Sequence, residues 1–148
     1  MPTIHHQFDA RCSTEALWRV LADLTLVQKY NPTISAARIR GARTTGAGAE
    51  RECDLKPKGR IVERVFQWDD GKALGVEVIE SDWPMRTIRW VTRITPQGSG
   101  SRVTQQLDYT MKFGILGAML DMLAARRNLT RNVGATLEAF IAYAEARK

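Results

Sequence analysis

Three polar side chains of this sequence stand among apolar neighbours: Glu63 in RIVERVFQW, Tyr109 in QQLDYTM and Arg126 in LAARRNL. A carboxyl group and a phenol held close together could bind a polar head group, or act as base and acid in an enolisation or dehydration. A guanidinium in the same place could clamp a carboxylate or phenolate, or pair with Glu63 itself. Each has a plainer reading. Glu63 could be an exposed strand residue paired with Arg51 or Lys58, and Tyr109 a core aromatic whose hydroxyl meets backbone. Arg126 could lay its stem along the protein and put its head in water.

The other reactive residue types do not assemble into a centre. His5 and His6 are the only histidines, and adjacent residues on a strand point to opposite faces, so they cannot share a metal ion. Cys12 and Cys53 show neither CxxC spacing nor a neighbouring histidine cluster, which argues against a metal site and against a disulfide scaffold. No Ser/His/Asp or Cys/His set is identifiable. The glycines of GARTTGAG precede a strand rather than a helix and lack the GxGxxG form, so a phosphate loop is not expected. No cofactor is called for.

Elements that could position Glu63, Tyr109 and Arg126 are legible from periodicity. Thr3 to Ala10 alternates, with Ile4, His6 and Phe8 on one parity, as a half-buried strand does. Ser13 can cap a helix over TEALWRVLADL, whose apolar face is Leu17, Val20, Leu21 and Leu24. A short helix or turn is expected around Leu26 to Tyr30, ended by Pro32, and then a strand from Ser35 to Arg40. From Gly41 onward AERECDL, RIVERVFQW, ALGVEVIES, RTIRWVTRI and SRVTQQLDYTMKF read as short strands joined by tight turns, an antiparallel meander.

Alternation also assigns faces. Val103, Leu107, Tyr109, Met111 and Phe113 should face inward, as should Ile88, Trp90 and Ile94, and Leu74, Val76 and Val78. The strand Arg60 to Trp68 reads both ways, since Val62, Arg64, Phe66 and Trp68 compete with Ile61, Glu63, Val65 and Gln67. The second set leaves Arg64 in solvent and makes Glu63 an inward carboxylate.

The last third of the chain is a long amphipathic helix. Ile115, Met119, Met122, Leu129, Val133, Leu137, Phe140 and Ala144 share one side, and Arg127, Asn128, Arg131, Glu138 and Glu145 the other. At about 1.5 Å per residue it would be roughly 45 Å long. Arg126 breaks its stripe, projecting between Met122 and Leu129. A sheet with one apolar face and a helix with one apolar stripe bury each other, which gives a two-layer α+β domain.

The chain of 148 residues, 44% hydrophobic and 26% charged, fits one soluble domain over 1–148 with a substantial core. Its 22 basic and 16 acidic side chains leave a formal charge of +6, dispersed in small groups, so a solvated basic surface is preferred to a nucleic-acid footprint. Neither a signal peptide nor a membrane span is evident, and the cytoplasm is the expected location. Transient contact with a membrane surface stays open, as does the oligomeric state.

The order strand, short helices, long meander, terminal helix resembles the helix-grip fold of the START-like superfamily, also called SRPBCC or Bet v 1-like. Within it the chain most resembles the polyketide cyclase/dehydrase and lipid-transport family. The likeness covers essentially the whole chain and rests on STEALWRVLADLTLVQKYNP, GRIVERVFQWDDGKALGVEV, GSGSRVTQQLDY and MLDMLAARRNL. It implies a curved antiparallel sheet wrapped around the terminal helix, with an elongated cavity between them for a small apolar or amphipathic molecule such as a lipid, polyketide or aromatic compound. Its ligand-binding residues would then be Glu63, Trp90, Leu107, Tyr109, Met119, Met122, Arg126, Leu129 and Val133, with Trp68 as a further lining candidate and a lesser part for Trp83. Three functions are compatible with such a cavity: ligand binding, cyclase or dehydratase chemistry by acid/base residues, and lipid carriage at a membrane surface.

Overall fold

A computed structural model of the chain describes residues 3–82, 85–111 and 115–147, with backbone alone at 85, 86, 111 and 115–125. Strand β1 (Thr3–Ala10) leads to helix α1 (Thr14–Ala22), a 3-10 turn at Leu24–Leu26 and the short helix α2 (Val27–Tyr30). The strands β2 (Ile34–Arg40), β3 (Glu50–Leu55), β4 (Arg60–Asp69), β5 (Ala73–Ser81), β6 (Met85–Gln97) and β7 (Gly100–Met111) follow, and then helix α3 (Ile115–Ala146). The expected N-cap is present, since Ser13 Oγ accepts the Ala16 N–H at 3.2 Å.

The seven strands form one sheet in the order β1-β7-β6-β5-β4-β3-β2. Every pair is antiparallel, so the meander is continuous and the first strand closes it beside the last. The edges are β1 and β2, and α1 and α2 carry the chain from one to the other across the open side. Helix α3, 32 residues long, packs against α1, α2 and β1. This is the helix-grip arrangement.

Among the described residues the inward ones are those that alternation assigns, while Phe113 and the side chains of Met111 and Ile115 lie outside them. Val103, Leu107 and Tyr109 on β7, Ile88 and Ile94 on β6, and Leu74 and Val76 on β5 are buried, while Leu137, Phe140 and Ala144 seal the C-terminal half of α3 against them. Of the two sets that β4 allows, Ile61, Glu63 and Val65 are buried and Gln67 is half-buried, and Val62 of the other set is buried with them. Register shifts between Val62 and Glu63 and between Val65 and Gln67 break the strict period of two, which is why both parities of this strand look apolar. After the second shift Trp68 turns inward opposite Leu74 and meets Trp18 edge-on, ring centroids 5.2 Å apart. Gly75 makes room for that bulge: a Cβ there would lie 2.8 Å from Phe66 Cζ and 2.9 Å from Gln67 Cβ.

Gly134 performs a similar service for α3, since a Cβ would come within 3.1 Å of the His6 ring. The His6 Nε2 atom lies 3.1 Å from the Thr130 carbonyl, so this nitrogen is the protonated one and donates to the helix backbone. His6 is thereby a strand-to-helix tie. On the outer face of the sheet the basic groups are matched with acids, with Arg38 on Glu52 and Asp54, Arg40 on Glu80, Arg60 on Glu52, Arg64 on Glu77 and Arg102 on Asp9. These five arginines are therefore ion-paired, while the net charge of +6, which already counts the acids, stands. Among the described residues, no helix is long and apolar enough to cross a membrane.

Candidate functional site: a cavity under the terminal helix

Helix α3 does not fill the concave side of the sheet. A cavity of about 400 Å³ remains between them. Its sheet wall is formed by Leu55, Leu74, Ile88, Trp90 and Leu107, and its helix wall by Leu129, Val133, Leu137 and Phe140. Leu21 of α1 and Val27 of α2 close one side. The volume lies within the range of roughly 300–1,000 Å³ typical of small-molecule sites, and most of the lining is apolar.

Polar groups enter at defined places. In the sheet wall Thr92 and Gln105 satisfy each other, Gln105 Nε2 donating to Thr92 Oγ1 at 2.8 Å. Further along, Arg51 faces the cavity from β3. Its Nε and Nη2 donate to the two Glu63 oxygens at 3.1 and 3.2 Å, and Nη1 donates to the Leu24 carbonyl at 3.0 Å. Burial by itself would lower the pKa of this guanidinium, but the Glu63 charge outweighs it and raises it above the ordinary arginine range. These bonds occupy three of its five N–H groups, leaving one each on Nη1 and Nη2.

Cys53, the next inward residue on β3, donates its thiol to Glu63 Oε1 at 3.4 Å. Burial, reinforced by the Glu63 charge, pushes the Cys53 thiol well above its usual range, so it is not a nucleophile at neutral pH. Tyr30 also lines the cavity, packed against Phe140 with ring centroids 5.4 Å apart. Burial pushes its phenol up to about 12 against the opposing pull of Arg51, so it stays neutral and able to donate. At the open end stand Asn31, Thr33, Lys56, Lys58, Asn128 and Asn132. Asn128, Asn132 and Thr136 follow at intervals of four along one flank of α3, which makes that flank the polar rim.

The residues expected from sequence divide between this cavity and its surroundings. Trp90, Leu107, Leu129 and Val133 line it. Glu63 is inward and fully buried, but it lies behind Arg51, with both oxygens engaged, and is not a described wall residue. Tyr109 is packed with Ile4, Ile88 and Leu107 and does not line the cavity either. Glu63 and Tyr109 therefore do not face a common ligand. Arg126 is exposed, and its Nη2 donates to the Thr3 carbonyl at 3.0 Å, at the outer end of β1. An ideal helical wheel puts it in the stripe, but here the helix meets the beginning of an edge strand, and the long side chain reaches backbone there instead of the cavity. The side chains of Met119 and Met122, and Trp83 as a whole, lie outside the described residues.

Sequence reasoning passed over Arg51, Tyr30, Thr92, Gln105 and the asparagine flank as wall residues. For three of them a signal existed. Arg51 is in step with the inward Cys53 and Leu55, Thr92 with Trp90 and Ile94, and Gln105 with Val103 and Leu107.

The chain matches the family described as polyketide cyclase / dehydrase and lipid transport over residues 1–145. It belongs to that family. Comparison with curated proteins by sequence gave no match. Solved structures of the same fold include TTHA0849 from Thermus thermophilus, with 20% identity, a TM-score of 0.82 and 99% of each chain covered. XoxI from Bacillus cereus has 13% identity and a TM-score of 0.75, over 97% of this chain and 95% of that one. Ara h 8.0201 has 12% identity and a TM-score of 0.77, with 98% of each covered. At such identities these likenesses establish the fold alone, not a ligand.

Proposed function

We propose that this protein binds one small hydrophobic or amphipathic molecule in the cavity beneath α3. The observation that carries this reading is the cavity itself, about 400 Å³ between two apolar walls, in a chain large enough to have closed it. Affinity comes mainly from burial of the ligand's apolar surface, worth about 25 cal/mol per Å² removed from water before the costs of association. Arg51, Tyr30, Thr92 and Gln105 supply orienting hydrogen bonds in the interior.

Binding is favoured over acid/base catalysis by Glu63 and Tyr109, because neither group is a described wall residue and Glu63 is held by Arg51. The test is native mass spectrometry of gently purified protein, followed by titration of the stripped protein with a panel of aliphatic and polycyclic aromatic compounds. A co-purified apolar molecule, or saturable binding at one site, supports the reading. Ligand-free protein that takes up no member of the panel overturns it.

A further inference from the structure

The cavity wall holds three cations, Arg51, Lys56 and Lys58, and no carboxylate among the described lining residues. Arg51 is neutralised by Glu63. Lys56 and Lys58 are different. They flank Pro57 in the exposed turn between β3 and β4, and among the described residues no acid forms an ion pair with either, although the arginines on the neighbouring strands are so matched.

The turn is also tied to the segment that enters β2, beside the Ile34–Leu55 pair. The Lys56 N–H donates to the Thr33 carbonyl at 2.9 Å. Asn31 Oδ1 accepts the Thr33 N–H at 2.9 Å and the Thr33 hydroxyl at 2.8 Å. Because a backbone N–H can only donate, the Asn31 amide is fixed with its oxygen on Thr33 and its NH₂ turned away from that pair. Lys56, Lys58 and Asn31 thus bring ammonium and amide donors to one opening, with an apolar chamber behind them.

We propose that the mouth of the cavity is an anion site, and that the ligand is an amphipath whose anionic head, a carboxylate or phosphate, sits on Lys56 and Lys58 while its apolar body occupies the cavity. This rests on the binding function proposed above and narrows it to a ligand class. A lone pair of surface lysines attracts anions weakly. Here the charges border an apolar chamber, so head and tail are recognised together, and an anion with no apolar body gains little.

The experiment compares dodecanoic acid with 1-dodecanol by calorimetric titration at low and high salt, for the natural protein and the double variant Lys56→Gln/Lys58→Gln. Both lysines are exposed, so the variant is expected to keep its thermal midpoint. The expected result is that the natural protein binds the acid about tenfold more tightly than the alcohol, a preference that shrinks with salt and disappears in the variant. Equal affinity for acid and alcohol, or an undiminished preference in the variant, overturns the anion site and leaves the cavity's binding role standing. Binding of neither compound overturns the anionic amphipath, and the cavity's binding role then falls only if the aromatic members of the panel also fail to bind. Incubation with phosphatidylglycerol vesicles, re-isolation and native mass spectrometry then separates the two sources of such a head. Uptake of the lipid assigns a membrane lipid, and dodecanoate binding without uptake assigns a free acid.

Discussion

Arg51 and Glu63 stand directly opposite each other on β3 and β4, and the guanidinium holds both carboxylate oxygens at 3.1 and 3.2 Å. The pair has 6% and 1% of its surface exposed, so neither charge is screened by solvent. It gives the cavity wall a cation's hydrogen-bond donors while removing the acid from reach. That arrangement suits holding a ligand better than moving its protons.

Breaking this pair from one side should be costly. Arg51→Met leaves a buried carboxylate whose one remaining donor among the described residues is the Cys53 thiol, and a loss of about 3–5 kcal/mol in unfolding free energy is expected. The double variant Arg51→Met/Glu63→Leu should recover most of the stability. Urea titration of the natural protein and both variants checks this, and a double variant no better than the single one would contradict it.

Tyr30 should report alkaline pH. Its phenol is raised in the folded protein to about 12 from an ordinary value near 10, so the folded state keeps a proton that the unfolded state has released. The stability this provides is complete below about pH 10 and is lost as pH rises to about 12. The difference in denaturant midpoint between the natural protein and Tyr30→Phe should therefore narrow across that window. A difference that stays constant would show the phenol to be unperturbed.

The Cys53 thiol, fully buried and pushed up by burial and by Glu63, should resist alkylation in the native state. Iodoacetamide at mildly alkaline pH, followed by peptide mapping, should label Cys53 only after denaturant is added. Rapid native labelling would mean that this part of β3 opens to solvent.

Gly75→Ala should destabilise the domain by about 1–3 kcal/mol, because the new methyl group meets the Phe66 ring and the Gln67 Cβ at the β4 bulge and neither can move without disturbing the strand. Thermal unfolding measures it. An unchanged midpoint would show that the bulge relaxes freely.

The strands of the meander and the terminal helix were legible because most are written in a simple period, two along a strand and nearly four along α3; the place of β1 beside β7 rests on pairing that no local period shows. Legibility failed where the period is broken or where position depends on another element. In β4 two register shifts made both faces look apolar, and only the pairing with β5 shows that Glu63 and Trp68 both point inward. Arg51 was legible as one of two candidate partners of Glu63, but only for an exposed pair; that the two charges cancel inside the protein follows from the register of β3 on β4. Tyr30 and Asn31 sit at the end of a four-residue helix, where no periodicity exists to orient them. Arg126 shows the converse error, since a correct helical angle does not say whether a sheet lies beneath it.

The central claim, that the space beneath α3 is a binding site, is tested most directly by filling it. Val133 lines the cavity from the helix and is only half-buried, so Val133→Trp should occupy the chamber without unseating Leu137 and Phe140. Titration of 1-anilinonaphthalene-8-sulfonate, an apolar ring system with an anionic group, is expected to show one saturable site on the natural protein. The Val133→Trp protein, folded by its thermal transition, is expected to lose that site, with affinity reduced at least about tenfold. Equal binding by the two proteins would place the ligand elsewhere and contradict the account.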